Sequence, residues 1–201
     1  MRGALCVFGA FACTHRPGTS DSFARVMNPG DSTWYAPPGG CTRVNMATAP
    51  PDSLRVPGFF GDTTRDLNAR EAAFARIVPG GYGGIWVEGD SFAIALVDTS
   101  RRIDAVHALY ARGYRVNGDL AKSRAQPVQW DFAQLDDWFN VIVPRAFERR
   151  IVTGAGIDVM RNRIRLNTDV EQRPALRRLL ASLGVPCYMV GIERGLRARF
   201  P

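Results

Sequence analysis

Hydrophobic and polar positions along the chain follow two rhythms. Between Gly83 and Asp98, Ile85 and Val87 alternate with Trp86 and Glu88; Gly89-Asp90-Ser91 interrupts, and Phe92, Ile94, Leu96 and Val97 resume the apolar run. A period of two broken by turn residues predicts a β-hairpin. Gly156 to Asn167 repeats it, with Ile157 and Val159 before an Arg161-Asn162 turn and Ile164 and Leu166 after it. This predicts a second hairpin. Cys187 to Ile192 reads as a final strand.

The other rhythm is helical. Leu67, Ala73, Phe74 and Ile77 predict one face of a helix between Thr63 and Val78, stopped by Pro79-Gly80-Gly81. Ile103, Val106, Leu109 and Tyr110 do the same between Arg101 and Arg112, ending at Gly113, with His107 at the border of that face as a core-edge histidine with a hydrogen-bond partner. The stretch 114–127 is polar and reads as a surface loop. At Asp131, Asp-Phe-Ala-Gln134 resembles a capping box, and Phe132, Leu135, Trp138, Phe139, Ile142, Val143, Ala146 and Phe147 follow at spacings of three and four. Pro144 removes an internal hydrogen bond and predicts a kink or a break there. A last helix over 171–183 turns Leu176, Leu179, Leu180 and Leu183 inward and Arg173, Arg177 and Arg178 outward, until Gly184 and Pro186 stop it. The order α-ββ-α-(β)-α-ββ-α-β predicts an α+β fold: an open, mixed, mainly antiparallel sheet of two hairpins plus a C-terminal strand, covered by amphipathic helices.

Before this domain the patterning changes. Met1-Arg2 and the apolar run Ala4 to Ala12, ending in Ala10-Phe11-Ala12, predict a short export signal over 1–12. Cys13 follows at once, as in the lipobox of bacterial lipoproteins, where the thiol is lipid-modified; Ala12 and Cys13 fit, while Ala10 and Phe11 depart from the usual residues. The other reading is an N-terminal strand of a cytoplasmic domain. Residues 13–62 are rich in Pro, Gly, Ser, Thr and Asn and predict a tether, with local order near Trp34-Tyr35 and Phe59-Phe60. The single domain then spans 63–193, and 194–201 is a basic tail.

Charge adds one feature. The net +7 lies wholly in residues 145–201, which hold twelve arginines against five carboxylates; the preceding residues balance. Arg161, Arg163, Arg165, Arg173, Arg177, Arg178, Arg194, Arg197 and Arg199 could therefore face an acidic protein partner or a polyanion. Aromatic residues do not interleave with them as a nucleic-acid stacking platform requires, which favours solvated faces and argues against nucleic acid.

Catalytic chemistry is thin. Gly89-Asp90-Ser91 resembles the Gly-Asp-Ser block of a large esterase family, and Gly30-Asp31-Ser32 repeats it. A serine hydroxyl needs a base, and no histidine follows His107, so a hairpin turn is the better account. His15 and His107 are the only histidines and have no metal-ligand spacing. Asp136 and Asp137 point about 100° apart on a helix and read as solvated charges. Gly80-Gly-Tyr-Gly-Gly84 leads into a strand, the wrong order for cradling phosphate at a helix N-terminus. No catalytic, cofactor or metal residues are assigned. Cys41 and Cys187 remain once Cys6 leaves with the signal and Cys13 is lipidated. An oxidising compartment permits a disulfide between them; Cys187 is otherwise an ordinary buried strand residue.

Tyr82-Gly-Gly-Ile-Trp-Val-Glu88, Val128-Gln-Trp-Asp-Phe-Ala-Gln-Leu135 and Ile157-Asp-Val-Met-Arg-Asn-Arg-Ile164 together resemble the C-terminal part of bacterial alpha-lytic-protease-type pro-regions. Those carry a Gly-Gly-hydrophobic-aromatic strand, a strand-to-helix step and an Asp-x-x-x-Asn-Arg-hydrophobic hairpin in this order. The resemblance covers residues 82–193 and implies a fold and an interaction role: such pro-regions fold and then inhibit a secreted serine protease.

The expected function is an exported, lipid-anchored or secreted cell-envelope module without catalysis that grips a protein partner, with the membrane engaged only through the N-terminal lipid. A polyanion-binding module and a hydrolase with an unusual carboxylate site are the alternatives.

Overall fold

The computed structural model describes residues 33–41, 49–54, 67–89, 91–114 and 119–195. The signal, Cys13, Gly30-Asp31-Ser32, Phe59-Phe60, Arg197 and Arg199 lie outside them. Strand β1 (Thr33–Trp34) comes first, then a 3₁₀ turn at Asp52–Leu54 and helix α1 (Leu67–Ala75). The first hairpin is β2 (Tyr82–Glu88) and β3 (Ser91–Leu96); α2 (Arg102–Ala111) then leads to β4 (Arg124–Pro127). The long α3 (Phe132–Glu148) is followed by the second hairpin, β5 (Gly154–Asp158) and β6 (Arg163–Thr168), and by α4 (Arg173–Leu183) and β7 (Val190–Arg194). The fold is α+β, as the patterning predicts.

The hairpins do not share one sheet. β2-β3-β4 forms one sheet and β1-β7-β6-β5 another. In each, the hairpin is antiparallel and the strand arriving after the next helix pairs in parallel with the hairpin's second strand. The chain is thus two ββαβ units in series joined by α3. Each hairpin finds its third strand within its own unit, so neither needs the other's edge. Where the units meet, side chains occupy the space: a Cβ on Gly84, at φ 122°, would collide with Val159.

Two cores follow. Leu135, Trp138 and Ile142 of α3 pack with Leu176 and Leu180 of α4 against Ile164 and Leu166 of β6. Phe132 and Ala133, from the first turn of the same helix, belong to the other core, with Tyr82, Ile94, Leu96 and Leu109. The capping box fixes where α3 starts: Asp131 Oδ1 accepts from the Gln134 N–H at 2.8 Å, and Gln134 Oε1 accepts from the Asp131 N–H at 3.0 Å. The helix runs through Pro144 without a break. Pro144 is itself buried, so packing of this face outweighs the lost hydrogen bond.

Several expectations need correction. In the first predicted helix, Leu67 and Ile77 are 66% and 43% exposed, Ile77 lying just beyond α1, while Ala72 and Ala75 are buried. In α2, Ile103 is 58% exposed and Ala105 is fully buried. Buried alanines thus share the inner face with Val106 and Leu109, which are buried as their spacing predicts, while Leu67, Ile77 and Ile103 turn outward. His107 is exposed rather than at the core edge. The polar stretch 114–127 holds β4, and the last strand begins at Val190 instead of Cys187. The stretch read as a tether contains structure beyond local order: β1 pairs antiparallel with β7, Tyr35 is 1% exposed, and Cys41 is bonded to Cys187 with Cα atoms 5.8 Å apart.

Ile142→Ala removes a fully buried side chain from the helix that joins both cores. It should cost about 2–5 kcal/mol in urea unfolding followed by circular dichroism, with a single transition retained.

Candidate functional site

The units meet at the turn between β5 and β6. Asp158 Oδ1 accepts from the Arg161 N–H at 3.0 Å, which closes a side-chain turn and leaves Asn162 in the left-handed region at φ 51°. The Asn162 side chain then reaches into the other unit. Its Oδ1 accepts from the Gln129 and Trp130 N–H groups at 3.0 and 2.8 Å, and its Nδ2 donates to the Trp130 carbonyl at 2.7 Å. One buried carboxamide therefore holds the segment between β4 and α3.

Above this junction lies a groove of about 40 Å³, walled by Trp34, Pro127, Trp130, Met160, Arg161 and Tyr188. Met160 and Tyr188 are 59% and 42% exposed, large apolar groups left at the rim. Among the described residues three non-glycine positions have positive φ, and two of them, Asn162 and Tyr188, line this groove. Such backbone conformations cost of order 1–3 kcal/mol and persist where the surroundings impose them. For Tyr188 those surroundings are the disulfide at Cys187 and a hydrogen bond from its own N–H to the Tyr35 carbonyl at 3.0 Å. The Cys41–Cys187 bond thereby ties the Tyr188 wall to the segment that follows Trp34.

Trp34 also covers Arg163 of the second unit. The Arg163 guanidinium lies 4.5 Å from the Trp34 ring centroid and flat across Gly191, where a Cβ would meet its Nη1 at 2.8 Å. Its Nη2 donates to Glu193 Oε1 at 2.8 Å. Burial favours losing the proton, while the charges of Glu193 and Asp158 oppose that loss, and a guanidinium stays charged at any ordinary pH. Arg161 and Arg165 also approach Glu193, at 3.7 and 3.9 Å. The structure thus gathers Arg161, Arg163 and Arg165 around one carboxylate, with Arg194 exposed at the end of β7. Arg173, Arg177 and Arg178 stand on α4, which packs on the Ile164 and Leu166 side of β6, so the sheet separates them from Arg163 and Arg165.

Buried ionisable groups occur elsewhere, between α1 and β2. The Tyr82 hydroxyl donates to Glu71 Oε2 at 2.9 Å, beneath Tyr114, whose ring stands edge-on to Phe74. Burial raises the pKa of Glu71, partly offset by that hydrogen bond, and raises Tyr82 further with the help of the Glu71 charge. Tyr114 is raised by burial as well. This trio holds α1 to the sheet and does not line the groove. Ser91, proposed above as a turn residue, pairs with Glu88 across a two-residue loop, and its Oγ donates to the Glu88 carbonyl at 3.1 Å. Among the described residues no group of three metal-ligating side chains comes together.

No protein-family model matches the chain, and no curated protein matches it. Nothing local in the sequence marks the groove, because its walls come from four separated segments. The Asp158-to-Asn162 spacing was visible, but its reach to Gln129 and Trp130 was not.

Asn162→Asp keeps the acceptor but sets a carboxylate against the Trp130 carbonyl in place of a donor. It should cost about 2–4 kcal/mol in chemical unfolding, more than most exposed substitutions. Glu71 gives a pH signature. Its folded pKa is raised, so the folded state keeps the proton longer and stability falls as pH rises from 4.5, the ordinary glutamate value, through the raised one. Glu71→Gln should flatten that decline in melting temperature between acid and neutral pH.

Proposed function

We propose that the chain is an exported, non-catalytic module that binds a protein partner in the groove between its two units, anchored through lipid on Cys13 or secreted. The observation that carries the binding reading is the rim: exposed Met160 and Tyr188 beside Arg161, with Tyr188 held in a strained conformation by a neighbouring disulfide. An apolar patch with a fixed aromatic anchor and a cation at its edge has the makings of an interface hot spot. The disulfide also supports export, since such bonds persist in oxidising compartments. The resemblance to alpha-lytic-protease-type pro-regions suggests a partner of the secreted-enzyme kind. A polyanion reading is less favoured, because Glu193 and Asp158 already engage Arg161 and Arg163, and the sheet divides the remaining arginines.

The test is recovery of cross-linked partners from bacterial envelope extracts by the intact chain, by Tyr188→Ala and by Met160→Ser. Each variant should lower recovery of the same bands about tenfold, with melting temperature little changed. Equal recovery by all three forms would remove the groove from the function.

A further inference from the structure

The faces of the second sheet divide the arginines of that unit, but one of its ends brings several together. β6 and β7 run in parallel and finish level, Thr168 opposite Arg194, while β1 and β5 begin at that same end. Buried Thr168 gathers the neighbouring segments. Its hydroxyl donates to the Ile151 carbonyl after α3, its carbonyl accepts from the Gly195 N–H at 2.9 Å, and the chain continues from it through Asp169 into α4. Arg149 and Arg150 at the close of α3, Arg173 at the opening of α4 and Arg194 at the close of β7 therefore share one end of the molecule, and Arg177 and Arg178 follow one turn further along α4. Glu148, Asp169 and Glu171 stand among them, yet none of the six arginines forms an ion pair with a described residue.

Apolar groups are exposed here as well. Phe147 precedes Arg149 and Arg150 in the last turn of α3, Val170 precedes Arg173, and the two are 40% and 54% exposed. Arg150 is the third non-glycine residue at positive φ, at 55°. It closes α3: its N–H donates to the Phe147 carbonyl at 2.9 Å, and the Ile151 N–H reaches back to the Ala146 carbonyl at 3.1 Å. Such a helix end favours glycine, so this guanidinium is kept against a backbone preference. The chain also arrives and departs here. β1 runs antiparallel to β7, so Thr33 enters at the Arg194 end, and the sequence after Gly195 adds Arg197 and Arg199 and no carboxylate. The nineteen residues between Cys13 and Thr33 span at most about 65 Å when extended. The groove walled by Met160, Arg161 and Tyr188 lies at the opposite end of the same strands.

Resting on the export reading above, we propose that this end of the second unit docks on an anionic phospholipid surface, with the arginines on the lipid phosphates, Phe147 and Val170 in the interface, and the groove facing away from the bilayer. Cations close to such a surface are each attracted to it, and an aromatic side chain at headgroup level adds apolar burial. The occupant is assigned by charge and by the path of the chain: cations without an ion pair and exposed apolar side chains share the end from which the chain leads back to Cys13. A soluble polyanion would use the charge and leave the apolar pair in water.

The experiment floats the intact, disulfide-bonded chain, carrying Cys13→Ser so that no lipid is attached, with vesicles of phosphatidylglycerol mixed into phosphatidylcholine and with vesicles of phosphatidylcholine alone. Binding to the anionic vesicles should exceed binding to the neutral ones about tenfold or more and fall as salt is raised. Arg150→Gly suits the backbone, so it should keep or raise the melting temperature while lowering anionic-vesicle binding about fivefold; adding Arg149→Ser should bring the loss to about thirtyfold. Phe147→Ser should lose about fivefold, a loss that persists at raised salt. Arg112→Ser, which removes an exposed arginine of the first unit, should change nothing. Equal binding to both kinds of vesicle, or full binding with Arg149→Ser and Arg150→Gly together, would overturn the proposal. So would retention on immobilised heparin that falls with the arginines while vesicle binding ignores Phe147→Ser, which assigns this end to a soluble polyanion. Should Phe147→Ser fold poorly, Arg150→Gly decides. No partner protein enters the assay, so its failure leaves the groove in the function, and failure of the cross-linking test leaves this end untouched.

Discussion

Among the described residues no hydrogen-bond ladder runs from one sheet to the other, and the placement of the two ββαβ units rests on α3 and on the Asn162 carboxamide. The helix contributes bulk: its first turn lies in one core and the rest in the other. The carboxamide contributes direction, since it holds both N–H groups and one carbonyl of the Gln129-Trp130 segment at once. Apolar packing alone is tolerant of sliding; a buried amide with three satisfied bonds is not. The groove inherits its shape from this junction, because Pro127 and Trp130 come from one side and Met160 and Arg161 from the other.

The arginine-rich end of the chain shows why composition overstates charge. Three arginines spend much of their field on Glu193 and Asp158, and Arg163 is enclosed between an indole and a glycine. Gly191 admits the guanidinium only because it lacks a Cβ. A cation so enclosed acts as a packing element of the second unit, while Arg161 and Arg165 keep about half their surface in water.

Local signals were read where the physics is local. The capping box at Asp131, both hairpins and the leucine stripe of α4 each depend on residues within a few positions of one another, and the structure places them as their spacing predicts. What sequence could not convey was long-range. β4 is a four-residue polar strand whose only reason to be extended is its pairing with β3, so nothing in its own pattern distinguishes it from loop. The inner faces of α1 and α2 were legible only in part: Val106 and Leu109 are buried as their spacing predicts, but alanine carries little hydrophobic weight, so Ala72, Ala75 and Ala105 gave no signal while Leu67 and Ile103 stand exposed. The division into two sheets was hidden for the same reason as the groove: pairing partners are chosen by the whole fold. Of the site, the Asp158-to-Asn162 turn was legible, whereas Trp34 and Tyr188 come together through a β1–β7 pairing that spans nearly the whole domain.

The covalent link between Cys41 and Cys187 closes a sequence separation of 146 residues. Seen as a load-carrying part, it short-circuits the domain: tension applied between the leading segment and the C-terminal end passes through the sulfur bridge and bypasses α3, both hairpins and the junction at Asn162. Drawn apart by those two ends, the domain would keep its shape under strain that non-covalent contacts alone could not bear.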